Sequence, residues 1–197
     1  MSRSLLFIVM LFLSTAVNAQ QGGRWYTGHI PDDPYNIPLV NKARIPAHFH
    51  RTEINNFRGA EAGIIIVDKS KKFLYFAQGD GHALRFGIGV GRAGSQWNGT
   101  ALVGRKAKWP GWTPTANMRR QNPKLPRHVR GGPNNPLGAR ALYLYKDGRD
   151  TLFRIHGTNA PWSIGNAESA GCIRMLDEHI YDLYDRVPVG TKVVVRK

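Results

Sequence analysis

Along this 197-residue chain the apolar positions change texture several times. Leu5 to Leu13 is an unbroken apolar run of nine residues behind Arg3, and it gives way to the small-residue ending Val17-Asn18-Ala19. An early positive charge, a short apolar stretch and a small-residue ending predict a secretory signal peptide over residues 1–19, cleaved after Ala19. The run is less than half of the roughly 20 apolar residues that cross hydrocarbon, so no transmembrane span is expected in the mature chain. Residues 20–58 show little periodicity and are rich in Gly, Pro, Asn and Asp (GGRWYTGHIPDDPYNIP), which predicts an irregular N-terminal arm.

From Gly63 the pattern tightens. GIIIVD, KFLYFA and ALRFGIGV are β-branched and aromatic runs separated by the turns DKSKK and QGDGH, and they predict a meander of short antiparallel strands. Residues 91–140 hold no sustained period of 2 or 3.6 and many Gly, Pro, Trp and Arg residues, the mark of a long irregular insertion that serves as a functional loop or lid. Ala141 to Tyr145 and Thr151 to Ile155 then flank a Lys-Asp-Gly-Arg turn and predict a hairpin with His156 at its open end. In DEHIYDLYDR, Ile180, Leu183 and Tyr184 share one helical face, with Asp177 as the expected cap. Pro188 and Gly190 end that helix, and TKVVV is a final strand. The sum is a mostly β fold with short helices, one domain over residues 59–197.

Charge narrows the partners. With 28 Lys and Arg against 13 Asp and Glu the formal charge is +15, which points to an anionic partner or surface. The basic residues are scattered, and no helix-turn-helix, zinc-finger or aromatic RNA-binding signature accompanies them, so nucleic acid is not the expected partner. For an exported chain a carboxylate-rich cell wall fits better. The histidines His29, His48, His50, His82, His128 and His179 lack metal-ligand spacing apart from His48 and His50, and no metal site is expected. The tryptophans Trp97, Trp109, Trp112 and Trp162 read as packing residues.

One cysteine in the whole chain means no internal disulfide in an oxidising compartment. Cys172 follows Ser169-Ala170-Gly171, and His156 lies sixteen positions before it. A thiol of pKa about 8.5 needs a base or a positive environment to act as a nucleophile. His156 is a candidate base, Arg174 adds charge nearby, and the N–H groups of Gly171 and Cys172 are candidates to face the oxygen of a tetrahedral intermediate. From the cysteine and histidine alone, an inert buried thiol and a nucleophile both stay open.

The longer string from His156 to Met175, H-G-x-N followed by S-x-G-C-x-R, resembles the signature of the bacterial cell-wall L,D-transpeptidases of the YkuD (ErfK/YbiS/YcfS/YnhG) type. His156, Gly157, Asn159, Ser169, Gly171, Cys172 and Arg174 carry the match, and it extends through WTPTANM, GGPNNPLGARALYLY and the strands from Gly63, over roughly residues 60–197. Two departures stand out: Ala170 occupies a position where many members have histidine, and Thr100 to Gly104 replaces a T-P-x-G motif. The resemblance implies a mixed-strand, β-sandwich-like catalytic domain of the short exported proteobacterial type.

It also implies a mechanism. Cys172 attacks the carbonyl of the third residue of a peptidoglycan tetrapeptide stem, usually meso-diaminopimelate, and expels D-alanine. His156 serves as base, oriented by the carbonyl of Gly157, while Ser169, Gly171, Arg174 and Asn159 surround the oxyanion and substrate. No cofactor is implied. The acyl acceptor is a diaminopimelate amine, an amine of an outer-membrane protein or lipoprotein, or water, the last making the enzyme an L,D-carboxypeptidase. The competing readings are a non-catalytic, basic wall-binding protein and an exported cysteine peptidase acting on proteins. The expected location is the periplasm.

Overall fold

The structure, a computed structural model, describes residues 25–58, 60–92 and 97–197. The signal peptide expected over residues 1–19 lies outside the described residues. Among the described residues no helix is long and apolar enough to cross a membrane.

Residues 25–58 correct the expectation of an irregular arm. Strands β1 (Tyr26–Ile30) and β2 (Ile37–Val40) form an antiparallel hairpin, and β3 (Thr52–Ile54) becomes an edge strand of the main sheet. These strands are three to five residues long and their turn-forming neighbours mask any alternation. What orders them is tertiary: one oxygen of Asp32 meets the guanidinium of Arg140 at 2.7 Å and the other accepts from Trp109 Nε1 at 2.8 Å. Arg140 is 1% exposed, so the ion pair ties the hairpin to the interior of the fold.

The predicted meander is present as β4 (Ile65–Asp68), β5 (Phe73–Gly79) and β6 (His82–Gly87), paired antiparallel in sequence order. Its first turn is closed by Asp68, whose Oδ1 accepts from Ser70 Oγ and Lys71 N. A short strand β7 (Val90–Gly91) follows, and then β8 (Gly99–Lys108), ten residues that the sequence reading assigned to the irregular insertion. In β8 Ala101 and Val103 face the core while Leu102 is 49% exposed, so apolar residues occupy both faces and hide the period of 2. The remaining loop, 109–139, carries helix α1 (Ala116–Gln121) and is braced by reciprocal backbone bonds between Trp112 and Val129 at 2.8 Å. Residues 93–96 of the expected insertion lie outside the described residues.

The predicted hairpin is β9 (Arg140–Lys146) and β10 (Arg149–His156). Asp147 and Gly148 between them both have positive φ, 50° and 72°, the turn that suits a twisted two-residue connection. Strands β11 (Ala167–Ser169) and β12 (Ile173–Arg174), helix α2 (Asp177–Arg186) and strand β13 (Lys192–Arg196) complete the chain. β13 inserts parallel to β4 and antiparallel to β8, and β12 runs parallel to β10, which makes the sheet mixed.

Nine strands form one sheet in the order β12-β10-β9-β8-β13-β4-β5-β6-β3. The fold is mostly β, as expected, with a mixed sheet and helix α2 sharing one core. Ile65, Leu74, Phe86, Leu142, Ile155 and Val193 meet there with Ile180 and Leu183 of α2, all without exposure. Burying each such side chain contributes about 1.5–3 kcal/mol. Beyond β6, Gly89 meets Arg174 of β12, with N–H···O bonds of 2.9 and 2.8 Å in both directions. The segment after β6 thus joins the β12 edge of the sheet beside Cys172.

Candidate functional site

His156 ends β10, and its backbone is held on both sides: its carbonyl accepts from Met175 N at 2.8 Å, and its register partner on β12 is Arg174. Its ring Nδ1 lies 2.6 Å from the carbonyl oxygen of Gly157. A carbonyl only accepts, so Nδ1 carries the proton and Nε2 keeps a free lone pair. The side chain is buried. Burial above all, with the charges of Arg174 and Arg154 adding to it, pushes the His156 pKa down to about 3, against the opposing pull of the Gly157 carbonyl. At neutral pH the ring is a neutral base.

Asp177 fixes the residue after the histidine. It does not cap α2; the cap position is Leu176, and Asp177 turns inward from the first helical turn. Its Oδ1 accepts from Ala139 N at 2.9 Å and Thr158 N at 3.1 Å, tying the 138–139 and 157–158 segments together. A Cβ on Gly157 would run into that oxygen, which explains why glycine follows the histidine. Burial raises the Asp177 pKa to about 7, despite the two N–H groups that favour its ionised form.

Cys172 sits in the turn between β11 and β12. Ser169, 3% exposed, closes that turn: its Oγ donates to the Cys172 carbonyl at 2.6 Å and accepts from Gly171 N at 3.2 Å. This corrects the expectation that the Gly171 and Cys172 N–H groups face an oxyanion together, because Ser169 occupies the Gly171 donor. Gly171 has φ of 128°, and its Cα packs so closely on Gly91 that a Cβ there would lie 2.7 Å away. The Cys172 thiol is partly buried, 3.9 Å from the carbonyl of Leu152. Burial raises its pKa, while the backbone N–H of Arg154 and the charges of Arg154 and Arg174 pull it back. These shifts favour a thiol at Cys172 and a neutral imidazole at His156.

Both residues line a cavity of about 860 Å³ together with Ser169 and Arg174. Asn159, expected at the site, does not line it: its Nδ2 donates to the Asn134 carbonyl at 2.9 Å and ties two loops. Gly157 contributes its carbonyl behind the histidine. Four arginines line the cavity, Arg92, Arg105, Arg154 and Arg174. Arg154 grips Asp150 with both nitrogens, at 2.9 and 3.0 Å. Between them Leu152 is 64% exposed with φ of 62°, at a register shift in β10. Its N–H is held by Asp150 at 2.8 Å, so a strained, exposed leucine stands at the rim beside the sulfur.

Arg105, Arg154 and Leu152 were not singled out from sequence, and Asp177 only as a helix cap. The signals were faint: an Asp-x-x-x-Arg spacing from Asp150 to Arg154, and an aspartate just before a helical pattern. Of the tryptophans read as packing residues, Trp109 is buried and Trp97 stacks on Phe153 at 5.8 Å. Trp112 instead lines the cysteine cavity, and Trp162 is 53% exposed.

Residues 62–195 match the family described as the L,D-transpeptidase catalytic domain, YkuD. A probable L,D-transpeptidase of Escherichia coli K12, ErfK/SrfK, is 43% identical over 138 residues, 66% of this chain and 43% of that protein. The chain thus spans about two fifths of that relative's length. A crystal structure from Brucella melitensis, described as a probable carnitine operon oxidoreductase, is 43% identical with a TM-score of 0.53, covering 79% of this chain and 99% of that one. That name speaks of redox chemistry, whereas the family match here is to an acyl-transfer domain. The catalytic domain of the Enterococcus faecium L,D-transpeptidase, at 19% identity and a TM-score of 0.51, covers 71% of this chain and all of that one, and shares the fold.

Proposed function

This chain belongs to the YkuD family of L,D-transpeptidase catalytic domains, and from that membership we propose that it is a peptidoglycan L,D-transpeptidase acting through Cys172. The observation that carries the reading is the buried neutral His156, its Nδ1–H held by Gly157 at 2.6 Å, sharing an arginine-lined cavity with the chain's single thiol.

Nε2 of His156 takes the thiol proton as sulfur attacks the carbonyl of the third stem residue, of the meso-diaminopimelate type. The proton then passes to the amine of the leaving D-alanine, and a thioester remains on Cys172. An incoming amine breaks the thioester, gives its proton to His156 and restores the thiol. A diaminopimelate amine yields a 3→3 cross-link, and an amine of an outer-membrane protein or lipoprotein tethers that protein to the wall. Negative charge on the tetrahedral oxygen meets the Cys172 N–H and the positive field of Arg154 and Arg174. Because His156 starts neutral, no ion pair has to be desolvated before attack. No cofactor takes part in this scheme, and an exported, periplasmic chain fits both the substrate and the apolar run at Leu5 to Leu13.

Intact-protein mass spectrometry with a disaccharide-tetrapeptide tests it. Wild type is expected to gain a transient adduct with release of D-alanine, and Cys172→Ala to gain none. Dimeric product marks an amine acceptor, and tripeptide marks water and an L,D-carboxypeptidase. A folded wild type that forms no adduct and consumes no substrate would overturn the proposal in favour of a wall-binding protein.

A further inference from the structure

We propose that Arg105, mounted on the ring of Tyr143, reads a carboxylate at the side-chain end of the donor's third residue, so that stems bearing it free are preferred over stems bearing it as a carboxamide. This rests on the acyl-transfer reading above and deepens it.

Three adjacent strands carry the argument. Arg105 of β8 is in register with Tyr143 of β9, and Tyr143 with Arg154 of β10. The two guanidinium groups lie over the tyrosine ring, with Cζ 3.5 Å from the centroid for Arg105 and 4.5 Å for Arg154. They are otherwise unlike. The fork of Arg154 is closed on Asp150, and its backbone N–H reaches the Cys172 sulfur. Arg105 enters no ion pair among the described residues and is exposed on the cavity wall.

A guanidinium lying over a ring keeps its N–H donors in its own plane, free of the ring, and a pair of them matches the two oxygens of a carboxylate. Tyr143, 6% exposed, is a fixed platform, and it favours a guanidinium held over it at the cavity wall. Position follows from the sheet. Adjacent strands are about 4.8 Å apart, which puts the backbone of Arg105 about 10 Å from that of Arg154 at the thiol. With the carbonyl under attack at Cys172, a group that far along the wall belongs to the far end of the acylated residue's side chain. Arg174, whose charge already bears on Cys172 and His156, stands instead at the reacting end.

The test compares thioester formation, as kcat/KM, for tetrapeptides whose third residue carries the distal carboxylate, its carboxamide, or a lysine side chain lacking the group. Wild type, Arg105→Gln and Arg105→Lys are measured, with thermal unfolding as a control on folding. Wild type is expected to prefer the free carboxylate by about ten- to a hundredfold, the range for a charge-assisted hydrogen bond. Arg105→Gln should fall to the carboxamide rate on the carboxylate donor while keeping its rate on the other two, and Arg105→Lys should recover part of the preference. Equal rates for all donors in wild type, a preference surviving in Arg105→Gln, or an equal loss on every donor would each overturn the assignment. These outcomes leave acylation itself intact; a wild type that acylates with no donor would remove the acyl-transfer reading and this inference together.

Discussion

Two cavities of similar size open on the fold, about 860 Å³ around Cys172 and about 730 Å³ between helix α2 and the segment 27–51. Each holds a buried neutral histidine, His156 in the first and His179 in the second, where burial pulls the pKa down to about 3 and about 4. They differ in how their charges are met. In the second cavity Arg51 pairs with Asp182 at 2.7 Å, and Glu178 Oε1 accepts from Val40 N at 3.2 Å. In the first, Arg92, Arg105 and Arg174 enter no ion pair among the described residues. His156 has its Nδ1 proton anchored, while His179 Nδ1 has no partner among the described residues and the ring packs on Phe86 at 5.6 Å. An oriented histidine and three arginines outside any ion pair mark the first cavity, although Lys42 of the second also enters no ion pair among the described residues; volume alone does not distinguish the two.

The largest effect that sharpens this contrast is on rate. His156→Gln is expected to slow thioester formation by about 10²–10⁴-fold, the usual reach of a positioned acid–base group. His179→Gln should leave it within about twofold, and stopped-flow acylation of both variants would erase the contrast if they behaved alike. Next comes the brace behind the histidine. Asp177→Ala leaves the Ala139 and Thr158 N–H groups buried without an acceptor, at about 1–3 kcal/mol each, so urea unfolding should show a loss of about 2–6 kcal/mol. Asp177→Asn keeps an oxygen at that place and should recover most of it.

Acidification separates the groups by sign. Because the folded pKa of His156 is depressed, its base form persists well below 6.5, and kcat/KM should show no acid limb between pH 7 and about 4.5. A limb centred near 6.5 would mean that the ring is solvated. In stability, the unfolded chain takes up a proton at His156 and at His179 as pH falls below 6.5, and the native state does so only near 3 and 4. Both histidines therefore remove stability as pH falls from 6.5 towards 4. Asp177 runs the other way, since the native state binds its proton from about 7 and the unfolded chain only near 3.8. Two protons against one predicts that these three groups together cost stability on acidification, and Asp177→Asn should steepen the urea-measured decline. The smallest effect belongs to the second cavity: Arg51→Ala breaks a partly exposed pair and should cost about 0–1 kcal/mol with acyl transfer unchanged.

The meander β4–β6, the hairpin β9–β10 and helix α2 were legible because their signals are local: β-branched runs, an Asp-Gly turn, and a helical apolar face. Cys172 and His156 were proposed from the string around them, and both line one cavity. Strand β8 was not, since Leu102 points outward and Gly104 lies against the Tyr145 ring, so neither period shows. The hairpin β1–β2 was hidden for another reason, being ordered by Asp32 reaching Arg140 across the fold. Asp177 looked like a cap because its place in the sequence suits one, and only the packed structure turns it towards Gly157. The Arg105–Tyr143–Arg154 row exists by strand register, which no linear pattern displays.

The contact between Gly89 and Arg174 joins two stretches of chain that lie far apart in sequence. The meander and the β9–β10 hairpin are closed by short turns and can form early, whereas the Gly89–Arg174 join has to wait for distant stretches of chain to find each other. Cys172 lies just before that join, so on the proposed reading a half-folded chain would hold the thiol outside its finished cavity. Recovery of the reactive cysteine on refolding should accordingly lag behind recovery of strand signal, making activity a clock for the last step of assembly.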